Sequence, residues 1–322
     1  MHILVTNDDG PPSAESSPYI LPFVRTLEAA GHTVSVIIPD SQRSWIGKAH
    51  IVGQDVRTEA YWPPETNPGV HSTTSATPRT TGQDGTGEAR DGRQPWVLVS
   101  STPATCAQLG LGSLFFTSRG PIDLVISGPN YGRNTTAVFA LSSGTLGAAL
   151  EAAACGYRAI ALSFAFFDRV NDPEIVGECC RHAVKVCEHL AAKAAWGEGK
   201  LYSVNVPVLK GVEGRKVVWT RVLQNVWGRG ACFAELPDAK AGEEVDAETE
   251  EVRIRRRESG GAEEKEMMKG PKVDGEGVGG KGEFRTRHFK WSPRYKAHEQ
   301  NFTMPGIFAN PFPAGLQMSS TV

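Results

Sequence analysis

Ile3-Leu4-Val5-Thr6-Asn7-Asp8-Asp9-Gly10 opens the chain with a short apolar run that breaks into an acidic turn. An apolar run of this length, bounded by turn residues, reads as a strand buried on both faces. From Ser17 the period changes. Ser17 stands as N-cap with Pro18 at the first helical position, and Ile20, Phe23, Val24 and Leu27 form one stripe that Gly31 stops. Thr33-Val34-Ser35-Val36-Ile37-Ile38 is then a second strand.

The alternation resumes beyond a polar interruption. Trp96-Val97-Leu98-Val99-Ser100 reads as a strand, followed by a helix from Pro103 to about Phe116. Residues 122–127 form a strand ending at Gly128-Pro129-Asn130, and a helix runs from Gly144 to Ala154, closed by Gly156. A strand over 159–163, a helix over 174–195 and a strand over 201–206 complete the series. The pattern predicts an α/β, Rossmann-like three-layer sandwich with a mostly parallel sheet, plus a smaller C-terminal extension.

Composition narrows the function classes. The chain has 34 basic and 36 acidic residues and a net charge of −2, without the positive excess of a nucleic-acid binder. No apolar run reaches the roughly 20 residues that span a bilayer, and the N-terminal run is too short for a signal peptide. A cytoplasmic protein is expected. Cys106, Cys155, Cys179, Cys180 and Cys187 fall in apolar helical stretches and read as buried, reduced thiols.

Three segments divide the chain: a globular domain over 1–235, a charged linker over 236–287, and a remnant C-terminal segment over 288–322. Within the first, residues 59–94 are rich in Pro, Gly, Thr and Ser and read as a long excursion. Residues 238–287 hold 14 acidic and 11 basic residues, nine glycines and one aromatic, too little apolar surface to fold alone. Arg253-Ile254-Arg255-Arg256-Arg257 lies within it among glutamates, as in a solvated mixed-charge linker.

Ligands of open parallel sheets bind where strands end. Asn7-Asp8-Asp9-Gly10, Asp40-Ser41-Gln42-Arg43-Ser44 and Ser127-Gly128-Pro129-Asn130 each follow a strand. Adjacent carboxylates repel, and a hard divalent cation relieves them. An Asp-Asp-Gly is equally an ordinary turn, with one aspartate capping and its neighbour in solvent. Ser44 and Asn130 would add neutral oxygens suited to Mg²⁺, Mn²⁺ or Ca²⁺ rather than zinc. Ser143-Gly144-Thr145 before an alanine-rich helix reads as an anion site, or as plain N-capping by Ser143. Gly110-Leu111-Gly112 lies in a helical run with Phe115 where a dinucleotide fingerprint needs glycine. His50, six residues past Ser44, is a lesser candidate for proton transfer.

Together these motifs resemble the SurE family of survival-protein phosphatases, and Thr102-Pro103-Ala104-Thr105-Cys106 looks like another segment of that family. Pro11-Pro12-Ser13 and Ser44-Trp45-Ile46-Gly47-Lys48-Ala49-His50 look closer to its fungal branch. The resemblance covers about residues 1–225. It implies a metal-dependent phosphomonoesterase of nucleoside monophosphates, a 5′- or 3′-nucleotidase or acid phosphatase, with one divalent cation per subunit. By that resemblance Asp8, Asp9, Ser44 and Asn130 hold the cation, and Asp8, Asp9 and Asn130 are catalytic. Asn7, Ser143, Gly144 and Thr145 are the substrate contacts.

Ser101 and Thr105 depart from the bacterial Gly and Asp, and the family's closing Thr-Ser-Val-Thr-Pro-Leu strand has no counterpart here. Family members pair through C-terminal elements, so a homodimer or homotetramer is expected. The expected partner is a small phosphomonoester, with no membrane or nucleic acid. Water is the expected nucleophile. A haloacid-dehalogenase-like route wants Asp-x-Asp after the first strand, where Gly10 stands. The other reading is a catalytically weak nucleotide-binding or interaction protein on the same fold.

Overall fold

The computed structural model describes residues 1–65, 94–112, 115–166, 169–193, 195–227, 232–236, 249 and 287–293, with the backbone alone of 307–313. The chain divides into two compact units, Met1–Gln224 with Gln300–Val322, and Asn225–Glu299.

The first unit is built on β1 (His2–Thr6), with β2 (Thr33–Pro39) on one side and β5 (Leu124–Tyr131) on the other. β3 (Thr58–Tyr61) and β4 (Trp96–Val99) lie beyond β2, while β6 (Ala159–Ala165) and β7 (Lys200–Pro207) lie beyond β5. From β4 to β7 every pairing is parallel, and β3 runs antiparallel at the edge. The seven strands form the mostly parallel sheet that the alternation predicts. β11 (Ile307–Pro313) extends it antiparallel to β7, and β8 (Val217–Trp219) pairs parallel to β11. Residues 307–313 thus form a strand within the C-terminal segment.

Side-chain alternation along β1 divides the core. Ile3 and Val5 join the cluster under α1 (Ile20–Ala29) and α5 (Pro173–Lys193). Leu4 joins the opposite cluster, under α2 (Pro103–Leu111) and α4 (Gly144–Ala154). Each large apolar side chain buried this way contributes about 1.5–3 kcal/mol. Helices on both faces explain why β1, β5 and β6 carry no polar stripe.

Several boundaries differ from expectation. α1 starts at Ile20 rather than after Ser17, because the Ser17 hydroxyl donates to Gly10 O at 2.9 Å. α2 stops at Leu111, well before Phe116, where Gly112 is extended. β5 continues through Gly128, Pro129 and Asn130, shifting register against β6 between Ser127 and Asn130. A short helix, α3 (Ala137–Ser142), precedes α4. Cys155 is half-buried rather than buried.

In the second unit, β9 (Phe233–Leu236) and β10 (His288–Trp291) form an antiparallel pair. The Trp291 ring lies 5.2 Å from Phe233 and 5.8 Å from Trp227. Nearly all of the charged linker, residues 66–93 of the excursion, and most of 288–322 lie outside the described residues. No helix among the described residues is long and apolar enough to cross a membrane.

Candidate active site

The strand order decides where a ligand fits. From β1 the chain moves outward through β2 to β4, then returns to set β5 on the other side of β1. That reversal opens a crevice at the carboxyl ends of β1 and β5. Asp8 and Asp9 leave β1 there, while Asn130 and Tyr131 end β5.

Asn7 organises the first loop. Its Oδ1 accepts from Gly10 N–H at 3.1 Å, and its Nδ2 donates to Gly10 O at 2.8 Å and Ser17 Oγ at 3.3 Å. Gly10 holds φ +81°, a conformation that side chains disfavour. The expected substrate contact Asn7 therefore grips the turn that presents the two aspartates.

Asp8 and Asp9 are each 2% exposed. Asp9 Oδ2 accepts from the Tyr131 backbone N–H at 2.7 Å, and Asp8 Oδ1 accepts from Thr145 Oγ1 at 2.5 Å. A methyl on Gly144 would lie 2.7 Å from Asp8 Cβ and 2.9 Å from Oδ2, so only glycine lets α4 approach this closely. Ser143 caps the helix, its Oγ accepting from Leu146 N–H at 3.1 Å. The positive end of an 11-residue helix dipole thus abuts the Asp8 carboxylate.

The loop after β2 completes the site. Arg43 N–H, one residue before Ser44, donates to Asp8 O at 2.7 Å. Ser44 Oγ is buried with no hydrogen-bond partner among the described residues. Such a hydroxyl costs about 1–3 kcal/mol unless a ligand satisfies it. Asn130 is 5% exposed, and its Nδ2 donates to Gly132 O at 2.8 Å, which commits an amide hydrogen to the end of β5. Four distant segments meet here: 8–9, 43–44, 130–131 and 143–145.

Two carboxylates, a hydroxyl and a carboxamide make an all-oxygen donor set for a hard divalent cation. Among the described residues no three His, Cys, Asp or Glu side chains gather to hold a metal. A cation here would therefore need the neutral oxygens as well as the aspartates.

Sequence reasoning missed two features. One is the Tyr131 amide, a backbone group invisible to motif reading. The other is Glu151, 5% exposed on α4, whose Oε2 meets Lys48 Nζ at 2.5 Å and His50 Nε2 at 3.4 Å. Gln108 Nε2 donates to its Oε1 at 2.5 Å. Burial alone would push this carboxyl up, but hydrogen bonds from Lys48 and Gln108, with the charges of Lys48 and His50, hold it below its ordinary value. His50, the lesser proton-transfer candidate, is engaged by Glu151 and Thr105. A lone acid in Gly144-Thr-Leu-Gly-Ala-Ala-Leu-Glu151-Ala-Ala-Ala154 was the available signal.

A family model described as Survival protein SurE matches residues 3–229. The chain belongs to the SurE family. Among relatives of this SurE chain, the Probable tubulin–tyrosine ligase PBY1 of Saccharomyces cerevisiae is 35% identical over 245 residues, 70% of this chain. The matched stretch spans only 31% of that protein's length. The 5′-nucleotidase SurE of Nitratidesulfovibrio vulgaris (strain DP4) is 31% identical over 230 residues, 70% of this chain and 76% of that one. The 5′-nucleotidase SurE of Synechococcus sp. (strain RCC307) is 32% identical over 222 residues, 69% and 66% of the two chains. The crystal structure of the SurE protein from Aquifex aeolicus aligns with a TM-score of 0.56 at 18% identity, covering 98% of this chain and 95% of that one. At that identity the structural likeness concerns the fold. The yeast relative agrees with the fungal resemblance of this SurE sequence.

Proposed function

We propose that this chain is a phosphomonoesterase that hydrolyses nucleoside monophosphates with water as the nucleophile. The observation that carries the reading is the meeting of Asp8 with the N-terminus of α4 through Thr145 and Gly144. Two carboxylates beside a helix N-terminus make a place where a cation and a phosphate can share one crevice. Kinship to relatives named 5′-nucleotidases supports the same choice.

Asp8, Asp9, Ser44 and Asn130 would hold the divalent cation, and the buried Ser44 hydroxyl fits that role. Such an ion supplies Lewis-acid polarisation of the phosphoryl group and a more acidic water. The chain's own groups do the rest. Tyr131 N–H fixes the orientation of Asp9, and Thr145 fixes Asp8, so neither carboxylate has to reorganise during reaction. The Gly144 and Thr145 N–H groups, ahead of those that Ser143 engages, receive the phosphoryl oxygens. An aspartate of the pair takes up the proton that the attacking water releases. A covalent aspartyl-phosphate route lacks its second aspartate, because Gly10 stands in that place.

Hydrolysis of p-nitrophenyl phosphate and of 5′- and 3′-nucleoside monophosphates, with and without EDTA, tests the proposal. Turnover that EDTA abolishes and Mg²⁺ or Mn²⁺ restores is the expected result. Tight nucleotide binding without turnover at any metal would replace it with the binding-protein reading.

A further inference from the structure

The loop between Ser44 and His50 carries strain and is held from several sides. Trp45 sits at φ +65°, a conformation rare for a bulky residue, and such a residue persists only where its surroundings fix it. Its ring packs edge-on against Phe139 at 5.9 Å. Gly47 N–H donates to Ser142 O at 2.9 Å, and Thr102 Oγ1 donates to Ala49 O at 2.6 Å. A methyl on Gly147 would lie 2.3 Å from Gly47 O, so this loop rests directly on the α4 backbone.

Glu151 is the charged element of that attachment. It lies two turns along α4 from Gly144, among Ala148, Ala149, Ala152 and Ala153, all at most 1% exposed. An ion pair open to solvent on its Lys48 side adds little stability, so stability alone does not account for a carboxylate there. Its partners Lys48 and His50 both come from the strained loop, and Gln108 of α2 steadies the other oxygen.

We propose that Glu151 is a positioning residue: by clasping Lys48 and His50 it holds the turn at Trp45, and so keeps Ser44 beside Asp8. The inference rests on the reading of Ser44 as part of the cation site. Glu151 touches no reacting group in this arrangement. It acts through the loop, where a displacement of about 1 Å is enough to cost two orders of magnitude in rate.

The test uses the full chain with Glu151→Gln, Lys48→Met, their double variant and Lys48→Arg. Hydrogen–deuterium exchange over residues 44–50, Mn²⁺ binding by calorimetry and Tm are measured together. Both single variants should speed exchange in the loop about tenfold or more. They should weaken Mn²⁺ binding about 10- to 100-fold, the range for outer groups that orient metal ligands. The double variant should be no worse than either single one, and Lys48→Arg should behave as the parent. Lys48 is 40% exposed, so its substitution keeps the test open if Glu151→Gln fails to fold. Parent-like exchange in the loop together with parent-like Mn²⁺ affinity in Lys48→Met would overturn the clasp. A parent protein that binds no Mn²⁺ would instead remove the cation reading, and the exchange data would still judge the clasp.

Discussion

Asp8 and Asp9 carry the proposed chemistry, and their surroundings differ. Asp8 is held by a threonine hydroxyl and a helix end, Asp9 by a backbone amide. Substituting either by asparagine keeps shape and removes charge. Asp8→Asn or Asp9→Asn should lower kcat for p-nitrophenyl phosphate by at least ~100-fold, the scale of losing a major electrostatic element. Near-parental turnover in Asp8→Asn with metal supplied would reject the assignment. The place of the two aspartates at the end of β1 was legible because the acidic turn follows a buried apolar run directly. Asn7 was legible only as a polar residue in the right place. Its side chain faces its own turn, since a left-handed Gly10 needs its N–H and C=O satisfied locally. Glu151 went unread because all its partners are distant in the chain, with Gln108 forty-three residues earlier and Lys48 and His50 farther still.

At the scale of elements, period and turn residues located β1, β2, β4 to β7 and every long helix, but not β3 or β8 to β11, and the ends followed contacts that periodicity does not encode. α1 lost its expected cap because Ser17 serves the β1 loop. α3 is too short to show a period. The cysteines of α5 were legible, being on its apolar face. Burial pushes Cys179 and Cys187 up to about 12 and raises Cys106 and Cys180 as well. In the native protein a maleimide should therefore label Cys155 and Cys232 first, and the four buried thiols only after unfolding. Mass spectrometry of labelled peptides checks this. His182, also on α5, is buried with neither ring nitrogen hydrogen-bonded among the described residues. Burial, with Lys185 adding to it and Glu213 opposing, holds its imidazole below the ordinary 6.5. The unfolded chain then binds the proton more readily than the folded one. Stability from this group is complete above about pH 6.5 and falls as the pH drops below it. Denaturation midpoints of His182→Gln should consequently depend less on pH than the parent's between about pH 7 and 5.

For the whole molecule, the site exists only when the sheet is assembled, because its parts come from β1, β2, β5 and α4. Cation binding at the proposed site would then be linked to folding. A divalent ion at about 100 times its Kd adds about 2.7 kcal/mol to stability. For a domain of this size that raises Tm by roughly 5–10 °C. Differential scanning fluorimetry with Mn²⁺ should register the rise in the parent and lose most of it in Asp8→Asn; equal shifts in both would place the ion elsewhere. The same strand order governs synthesis. β5 closes the far side of β1 yet begins at Leu124, so a nascent chain leaving the ribosome presents β1 with one edge bare until then. Throughout that interval Asp9 also lacks the Tyr131 amide that later donates to it. A chain that has emerged only as far as β1 to β4 would be a client for chaperones, whereas one that has emerged through Ala154 already holds every proposed ligand.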